Sequence, residues 1–410
     1  MFIDDKIAER LGGKEFGRDT EIYKFEKIKR AKEAALKTNP DRAIIDMGVG
    51  EPDKPADLSI VKVLAEEAAK AENRFYADNG ILEFQEAAGR FLKKVYDLEI
   101  EKPARQIVHG IGSKPILAML PMAFINPGDY ILSTSPGYPV ASTYTKYLGG
   151  KVYKLALKED NNFFPDFKDI PEEVLKKAKL LYICYPNNPI GQVASRNFFE
   201  EVVAFARANN IFVIHDAAYS ALTYDGYQPL SFLTTDGAMD VGVEVHSLSK
   251  SYNMTGWRMA FLVGNEKAIK AYATVKDNTD SGQFRAIQKA AAYALDHTEL
   301  IDINRERYSR RFDLLIKELK DIGFDAIKPK GSFYCYVKMP SGTKSGLRFS
   351  TAEECSTFLI KEAGISTVPW DDAGSFLRFS VTFEARDEKE EKAVIAEFSS
   401  RMKKLGLVFN

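Results

Sequence analysis

Residues 179–191, with the sequence KLLYICYPNNPIG, are followed by SRNFFEEVVAFARANN at 195–210 and by IFVIHDAAY at 211–219. The first and third segments are short apolar runs that stop at turn residues, which is typical of buried strands. The middle segment carries its apolar residues at the 3.6-residue spacing of an amphipathic helix. Strand, helix and strand in this order predict a βαβ unit and therefore a parallel sheet.

The segments that follow extend this sheet. GVEVHSLSK at 242–250 and GWRMAFLVG at 256–264 have the composition of two more strands. Strands that are buried on both faces form continuous apolar runs. The middle of the chain is therefore predicted to be an α/β sheet covered by helices on both sides.

The C-terminal part of the chain differs in style. From about residue 325, the strand-like GSFYCYVKMP and SFLRFSVTF flank a helical TAEECSTFLIKEAG, and a charged amphipathic helix follows, which predicts a smaller α+β domain. We predict a large domain at 41–295 and a small domain at 296–410, joined through a long helix at about 286–320. A polar, helix-like N-terminal arm at 1–40 is predicted to contribute to the small domain.

Composition limits the classes of partner. The 410 residues carry a formal net charge of -1 and no basic tract, which argues against nucleic acid and anionic membrane surfaces. Cys184, Cys335 and Cys355 are too few and too scattered for a disulfide framework and favour a reducing compartment. The first residues are too charged for a signal peptide, and no run of about 18 apolar residues would span a bilayer. We therefore expect a cytoplasmic protein whose partners are small molecules or another subunit.

Ligands of open α/β sheets bind beyond the carboxyl ends of the strands, so functional residues are expected in the loops there. In VHGIGSKPILAML at 108–120, Gly112, Ser113 and Lys114 precede an apolar helix whose free amides could hold a phosphate, although a plain glycine turn is the more common explanation of such a motif taken alone. It is not a dinucleotide fingerprint, because Pro115 occupies the third glycine position. Asn188 lies in a proline-rich turn that is also common without function.

Two further strand ends carry charged groups. Asp216 closes the strand IFVIHD, where a salt bridge or a helix cap is the structural alternative to a functional role. Lys250 lies in HSLSKSYNMTGWRMAF at 246–261, eight positions before Arg258. A lysine near a phosphate site suggests Schiff-base chemistry, and an additional carboxylate suits a cofactor with a cationic ring nitrogen. Pyridoxal 5′-phosphate fits this combination.

These segments resemble the fold type I aminotransferases over nearly the whole chain. The motifs that carry the resemblance, in the order typical of the family, are MGVGEPD, NRFYADNG, GIGSKP, PGYPV, YPNNPIG, HDAAY, SLSKSYNMTGWR and FLRFS. The resemblance implies the fold: a large domain with a mostly parallel seven-stranded sheet between helices, plus a smaller α+β domain. It also implies pyridoxal 5′-phosphate as the cofactor and a homodimer with active sites shared across the interface.

The resemblance further implies roles for individual residues. Lys250 would bond to the cofactor and move the catalytic proton, and Asp216 would pair with the ring nitrogen. The other implied cofactor contacts are Gly112, Ser113, Lys114, Tyr138, Asn188, Tyr219, Ser247 and Arg258, together with Tyr76 reaching the partner's phosphate. The implied substrate contacts are Arg378, which clamps the α-carboxylate, with Gly50, Asn188 and Tyr138. No metal is expected, because the four histidines form no ligand pairs.

Within the family, the match is closest to the LL-diaminopimelate aminotransferases, through NRFYADNG, HGIGSKP, PGYPV, EVHSLSKSYNMTGW and ATVKDNTDSGQF. This implies amino transfer between glutamate and tetrahydrodipicolinate. Asp78 could receive the substrate's distal ammonium and Gln283 or Arg285 its carboxylate, although Asp78 could equally be a helix cap. A broader aminotransferase for aspartate, alanine or aromatic amino acids remains the main alternative. A pyridoxal-phosphate lyase would need no keto acid, and a cofactor-binding regulatory module would lack the catalytic residues.

Overall fold

The structure is a computed structural model that describes residues 3–17 and 24–409. Residues 1–2 and 18–23 of the predicted N-terminal arm, and residue 410, lie outside the described residues. The helices are α1 Lys24–Thr38, α2 Leu58–Ala68, α3 Leu82–Tyr96, α4 Pro103–Gln106, α5 Ser113–Phe124, α6 Val140–Tyr147, α7 Glu172–Leu175, α8 Arg196–Asn209, α9 Ala238–Val241, α10 Leu248–Ser251, α11 Glu266–Lys276, α12 Arg285–Asp296, α13 Glu299–Ile322, α14 Ala352–Ala363 and α15 Glu388–Lys404.

The strands build one large sheet and several small ones. They are β1 Ile45–Asp46, β2 Ile107–Gly110, β3 Tyr130–Ser135, β4 Lys151–Ala156, β5 Ala178–Cys184, β6 Phe212–Asp216, β7 Gly242–Ser247, β8 Ala260–Gly264, β9 Tyr334–Lys338, β10 Gly342–Thr343, β11 Ile365–Ser366, β12 Val368–Trp370, β13 Phe376–Ser380 and β14 Leu407–Val408. The large sheet has seven strands in the order β2-β8-β7-β6-β5-β3-β4. Only β8 runs against its neighbours, so the mostly parallel seven-stranded sheet is confirmed.

The βαβ unit predicted at 179–219 lies in the middle of this sheet. Strands β5 and β6 are parallel, with Leu180 opposite Phe212, and α8 connects them after a cap in which the Ser195 hydroxyl accepts from the Phe198 amide. Alternate residues of β5 enter different cores: Leu181 packs in the core shared with α3, α8, α12 and α13, and Leu180 in the one shared with α5, α6 and α11. Helices therefore cover both faces of the sheet.

The C-terminal residues form the smaller α+β part. Strands β12, β13 and β9 make an antiparallel sheet, and β1 pairs with β11. Helix α1 packs on α14, where Lys27 Nζ lies 2.9 Å from Glu353 Oε1. That the N-terminal arm belongs to the small domain stays a prediction. The exact domain boundaries stay a prediction. No helix among the described residues is long and apolar enough to cross a bilayer.

The predicted single helix at 286–320 is wrong in detail, because the structure has two helices there, α12 and α13. They separate at His297, which leaves the helical conformation with φ -108° and ψ 68°. Its ring stacks on Tyr293, and its Nδ1 atom is hydrogen-bonded to the Tyr293 carbonyl at 2.7 Å. A side chain that bonds to one of the last carbonyls of a helix favours termination there.

A buried ion pair joins Arg311 of α13 to Asp53, in the segment between β1 and α2. Arg311 is fully buried, and its NH2 atom lies 2.8 Å from Asp53 Oδ2, while its Nε lies 2.9 Å from Glu391 Oε1. The same guanidinium donates to the carbonyls of Val381 and Phe383 at 2.9 and 3.0 Å. One side chain thus ties four distant segments together.

Replacing Arg311 with methionine is expected to destabilise the protein by about 3–5 kcal/mol, because the Asp53 carboxylate would remain buried without a cation. Equilibrium urea unfolding measures this loss. Lys317→Met on the same helix is the control: that lysine is exposed and makes surface pairs, so about 0–1 kcal/mol is expected. Equal urea midpoints for the two variants would contradict the role given to the Arg311 network.

Candidate active site

A cavity of about 920 Å³ lies at the edge of the large sheet where its parallel strands end. Its wall combines the ends of β6 and β7 with α1, the segment 46–51 and strands β12 and β13. Such a crevice is where open α/β sheets bind ligands. The residues predicted from the sequence that line it are Gly50, Ser113, Lys114, Tyr138, Asn188, Asp216, Tyr219, Ser247, Lys250, Arg258 and Arg378.

Lys250 occupies a short helix directly after β7. The Ser247 hydroxyl caps this helix by accepting a backbone amide hydrogen bond at 3.2 Å. The Lys250 Nζ atom donates to the Gly50 carbonyl at 2.6 Å. Burial lowers the pKa of the Lys250 ammonium to about 8, and the guanidinium groups of Arg258 and Arg378 act in the same direction. A larger fraction of this amine is therefore neutral and nucleophilic at pH 7 to 8 than for an exposed lysine.

Asp216 is the last residue of β6 and is 5% exposed. Its Oδ2 accepts from the Tyr182 hydroxyl at 3.0 Å and its Oδ1 from the Ala218 amide at 3.3 Å. Among the described residues, no lysine or arginine forms an ion pair with it, and burial raises the pKa of this carboxyl. A buried carboxylate without a cation is costly. The group therefore fits a ligand that brings a cationic nitrogen into the cavity.

The end of the cavity next to α5 has the donors that a phosphate requires. The first turn of α5 presents the free amides of Ser113 and Lys114, and Arg258 and the Ser247 hydroxyl line the same cavity. Gly112 precedes the helix at φ 83°, and a Cβ atom there would collide with the Arg258 guanidinium. Only glycine permits this close approach. The residues present thus fit a phosphate ester at this end.

Arg378 is 2% exposed on β13 and faces the cavity from the smaller part of the fold. Its NH1 donates to Asn188 Oδ1 at 2.8 Å and its NH2 to the Gly48 carbonyl at 2.8 Å, and the group lies 4.0 Å from the centre of the Tyr334 ring. Within the described residues its Nε has no hydrogen-bond partner, and no carboxylate pairs with the group. A buried guanidinium without an anion fits a carboxylate ligand.

Aromatic side chains complete the cavity. Tyr138 lines it, and the hydroxyls of Tyr219 and Tyr334 lie 3.2 Å apart. Burial raises the pKa of Tyr219 well above its usual range, so the phenol stays protonated and can donate a hydrogen bond. Tyr334 was predicted to lie in a strand but not to be a site residue. Its position directly across the sheet from Ser380, near Arg378, follows from β9–β13 pairing and not from a local motif.

Gly112 and four further residues predicted for the site do not line the cavity within one chain. Tyr76 is 79% exposed, and its carbonyl accepts from the Arg285 guanidinium at 2.8 Å. The Asp78 carbonyl accepts from the buried Lys276 ammonium, and Gln283 Nε2 donates to the Trp257 carbonyl at 2.7 Å. These contacts hold one exposed loop in place. Roles for Tyr76 and Asp78 at the site of a partner subunit, and for Gln283 or Arg285 at the substrate's distal carboxylate, stay predictions.

One wall of the cavity was not predicted from the sequence. This wall is formed by α1 and by the segment at the end of β12, with the lining residues Lys24, Phe25, Ile28, Lys29, Lys32, Val368, Trp370 and Asp372. Among the described lining residues, seven lysine and arginine side chains face four carboxylates. The excess of positive charge favours anionic ligands.

The histidines next to the sheet edge lie in the core. His215 Nδ1 is 2.8 Å and His246 Nε2 is 2.6 Å from the buried Glu244 carboxylate. Both histidines are buried and neither lines the cavity. The part of the chain that the structure describes has no group of three or more His, Cys, Asp and Glu residues arranged to hold a metal ion.

Comparison with known proteins identifies the family. Residues 42–394 match the family aminotransferase class I and II. The LL-diaminopimelate aminotransferase of Methanocaldococcus jannaschii is 54% identical, with 100% of this chain and 99% of the relative covered. The LL-diaminopimelate aminotransferase of Methanococcus maripaludis is 52% identical over the same shares of both chains.

Solved structures have the same fold. BacF of Bacillus subtilis superposes with a TM-score of 0.87 at 33% identity, covering 96% of this chain and 98% of BacF. An aromatic aminotransferase of Pyrococcus horikoshii superposes with a TM-score of 0.80 at 27% identity, covering 91% and 98%. The fold type I architecture predicted from the sequence is therefore confirmed. With its strand-end lysine, buried aspartate and buried arginine around one cavity, the chain belongs to the class I and II aminotransferases.

Proposed function

We propose that this aminotransferase holds pyridoxal 5′-phosphate in the cavity at the sheet edge. The observation that carries the proposal is the convergence of Lys250, Asp216 and Arg378 on one cavity. Asp216 and Arg378 are buried, Lys250 is partly buried, and each side chain can interact with a different group of the cofactor or substrate. When bound, this cofactor supplies a ring that takes up electrons from the substrate Cα. The phosphate end would be held by the first turn of α5, by Ser247 and by Arg258.

The chain's own side chains would handle charge and protons. Asp216 would keep a proton on the ring nitrogen, because an ionised carboxylate in a buried site strongly favours an adjacent cation. Asn188 and the Tyr219 phenol would donate hydrogen bonds to the ring oxygen, and Tyr138 would cover one ring face. Lys250 would take the proton from the substrate Cα and return it, a task for which its lowered pKa is suited.

Arg378 would fix the substrate by its α-carboxylate. Its planar guanidinium can bind two oxygens at once, which sets the orientation of the Cα–H bond toward Lys250. Gly50 would contribute a backbone contact to the same carboxylate. Asn188 and Tyr138 would touch both cofactor and substrate.

We further propose that the reaction transfers the amino group between glutamate or 2-oxoglutarate and tetrahydrodipicolinate or LL-diaminopimelate, a precursor for lysine and cell-wall synthesis. Two relatives of this name, similar at 52–54% identity over the full chain, support this substrate pair. The positively charged cavity suits it, because both substrates carry two carboxylates. A homodimer in which Tyr76 reaches the partner's phosphate, and a cytoplasmic location, complete the proposal.

The test is a set of half-reactions. Purified protein loaded with pyridoxal 5′-phosphate is mixed with LL-diaminopimelate, aspartate, alanine or phenylalanine, and the keto product is quantified before and after 2-oxoglutarate is added. We expect about one equivalent of keto product per site from LL-diaminopimelate alone, and continuing turnover with glutamate release once 2-oxoglutarate is present.

The controls decide between the alternatives. Equal turnover with aspartate, alanine or phenylalanine would replace the specific proposal with a broader aminotransferase. Turnover without any keto acid would indicate a lyase. Sedimentation of the loaded protein tests the homodimer, and a monomer with full activity would contradict a site shared across an interface.

A further inference from the structure

Helix α1 places charged side chains in the cavity from a part of the chain remote from the sheet. Lys24 and Lys32 both line it from α1, since residues eight apart lie on one face of a helix. Lys32 Nζ is bonded to Asp46 Oδ2 at 2.7 Å, so its charge is already matched. Lys29 also lines the cavity but is exposed to solvent. Lys24 is the lysine of this wall whose charge is both partly buried and poorly matched.

The surroundings of Lys24 form a compact group at the end of β12. The Lys24 ammonium lies 3.6 Å from the centre of the Trp370 ring, and 4.0 Å from Asp372 Oδ2. Its side chain is 32% exposed and that of Asp372 is 30% exposed. Burial lowers the pKa of Lys24, while Asp372 and Asp371 raise it. The ring holds the ammonium in place by a cation–π contact without using its hydrogen-bond donors.

Neither charge of this pair has a partner at hydrogen-bonding distance among the described residues. The carboxylate of Asp372 is 4.0 Å from Lys24 and 3.9 Å from Lys154, whereas a charge-assisted hydrogen bond is about 2.7–2.9 Å long. Lys154 is 70% exposed and contributes a solvated charge. The cation and the anion thus lie side by side, and each can still form a hydrogen bond with a ligand.

The position of this pair relative to Arg378 follows from strand register. In the β12–β13 ladder Val368 is opposite Arg378, and Trp370 lies two residues further along β12. Two residues of strand correspond to about 7 Å. A substrate clamped by Arg378 at one end would therefore extend along β12 toward Trp370, Lys24 and Asp372.

We propose that Lys24 and Asp372 bind the distal end of the amino-acid substrate, Lys24 its carboxylate and Asp372 its ammonium. This rests on the proposed function. LL-diaminopimelate carries both groups at its distal end, which matches a cation beside an anion. Glutamate and 2-oxoglutarate carry a distal carboxylate and no ammonium, so they use Lys24 alone. One pocket thereby accepts both substrates of the exchange, and Asp372 distinguishes them.

This assignment differs from the prediction made from the sequence, which gave the ammonium to Asp78 and the carboxylate to Gln283 or Arg285. Those residues do not line the cavity of their own chain. The two assignments are separable by mutation, because Asp78 lies on the exposed loop near Tyr76 and Asp372 lies within the cavity of the same chain.

The test compares Asp372→Asn, Lys24→Met and Asp78→Asn in the cofactor-loaded enzyme. In a two-step exchange the kcat/KM of each amino-acid substrate reports only on its own half-reaction, so LL-diaminopimelate and glutamate are measured separately. For Asp372→Asn we expect kcat/KM to fall about 10–100-fold for LL-diaminopimelate, since a hydrogen bond between two charges is lost, with little change for glutamate. For Lys24→Met we expect a fall for both substrates.

A binding measurement accompanies the kinetics. Pimelate has the same carbon chain and both carboxylates of LL-diaminopimelate but no amino groups, so calorimetric titration of the loaded enzyme with pimelate reports on Lys24 without turnover. Lys24→Met should weaken pimelate binding, and Asp372→Asn should not. The matched controls are Lys27→Met on α1, which pairs with Glu353 outside the cavity, and Asp160→Asn in an exposed turn. Thermal melting of every variant monitors folding.

The kinetic results decide whether Lys24 and Asp372 bind the distal end of the substrate. Equal losses for both substrates in Asp372→Asn, or unchanged kinetics in Lys24→Met, would overturn the proposal. A selective loss in Asp78→Asn with none in Asp372→Asn would move the ammonium site to the loop. If the unaltered enzyme ignores LL-diaminopimelate but turns over glutamate, the proposed function fails, and glutamate kinetics with pimelate binding still decide whether Lys24 reads a distal carboxylate.

Discussion

Lys250→Ala is expected to lower kcat by at least about 10³-fold, because a positioned acid–base group contributes roughly 10²–10⁴ and this one also bonds to the cofactor. Lys250→Arg should lose as much, since a guanidinium stays protonated and cannot remove a proton. Steady-state turnover of the loaded variants measures both losses. Lys267→Ala, an exposed lysine on α11, is the control and should retain full activity.

The pH dependence supplies an independent readout for Lys250. Only the neutral amine attacks an aldehyde, and the pKa of Lys250 is lowered to about 8 by burial. The rate at which cofactor-free protein takes up pyridoxal 5′-phosphate should therefore rise as pH increases through about 8 and level off above it. A rate that continues to rise toward the usual lysine pKa of about 10.4 would contradict the lowered value.

Asp216→Asn is expected to reduce kcat by about 10²–10³-fold, the usual effect of removing one charge-stabilising group from a preorganised site. Asparagine keeps the shape of the side chain and can still accept from the Tyr182 hydroxyl, so the fold should persist. What disappears is the negative charge that would hold a proton on the ring nitrogen.

Stability distinguishes this charge effect from a folding defect. Burial raises the pKa of Asp216 in the folded protein, so the cofactor-free protein loses stability as pH rises above the ordinary carboxyl pKa. Removing the charge should leave the melting temperature of cofactor-free Asp216→Asn unchanged or higher at neutral pH. The stabilisation by added cofactor should shrink in parallel. Asp240→Asn, an exposed carboxylate, should change neither quantity, and a cofactor-free Asp216→Asn protein that melts lower would argue for a structural role.

The residues at the strand ends were accessible from the sequence for a local reason. Asp216 and Ser247 are the last residues of their strands, and Asn188 lies four residues after the end of β5. Because these strands are parallel, their carboxyl ends lie at one edge of the sheet. The same local patterns predicted the β5–α8–β6 unit and the helices on both faces. The helix predicted across His297 failed because its interruption depends on one side chain bonding to the Tyr293 carbonyl, which periodicity does not reveal.

Other parts of the site depend on contacts between segments that are remote in the chain. Arg378 meets the Gly48 carbonyl and Asn188 across 330 and 190 positions. Lys24 meets Trp370 and Asp372 only because α1 packs against the smaller part of the fold. In the sequence, Lys24 belongs to a polar arm with many lysines, and nothing local separates it from a solvated surface charge.

The sequence by itself thus determined the β5–α8–β6 unit, the helices on both faces of the sheet and the strand-end positions of Asp216 and Ser247, because these depend on short motifs and local periodicity. Only the tertiary structure decided which charges are buried without partners and which wall faces the far end of the substrate. Burial and charge matching depend on everything that packs around a side chain, and those neighbours come from all parts of the chain.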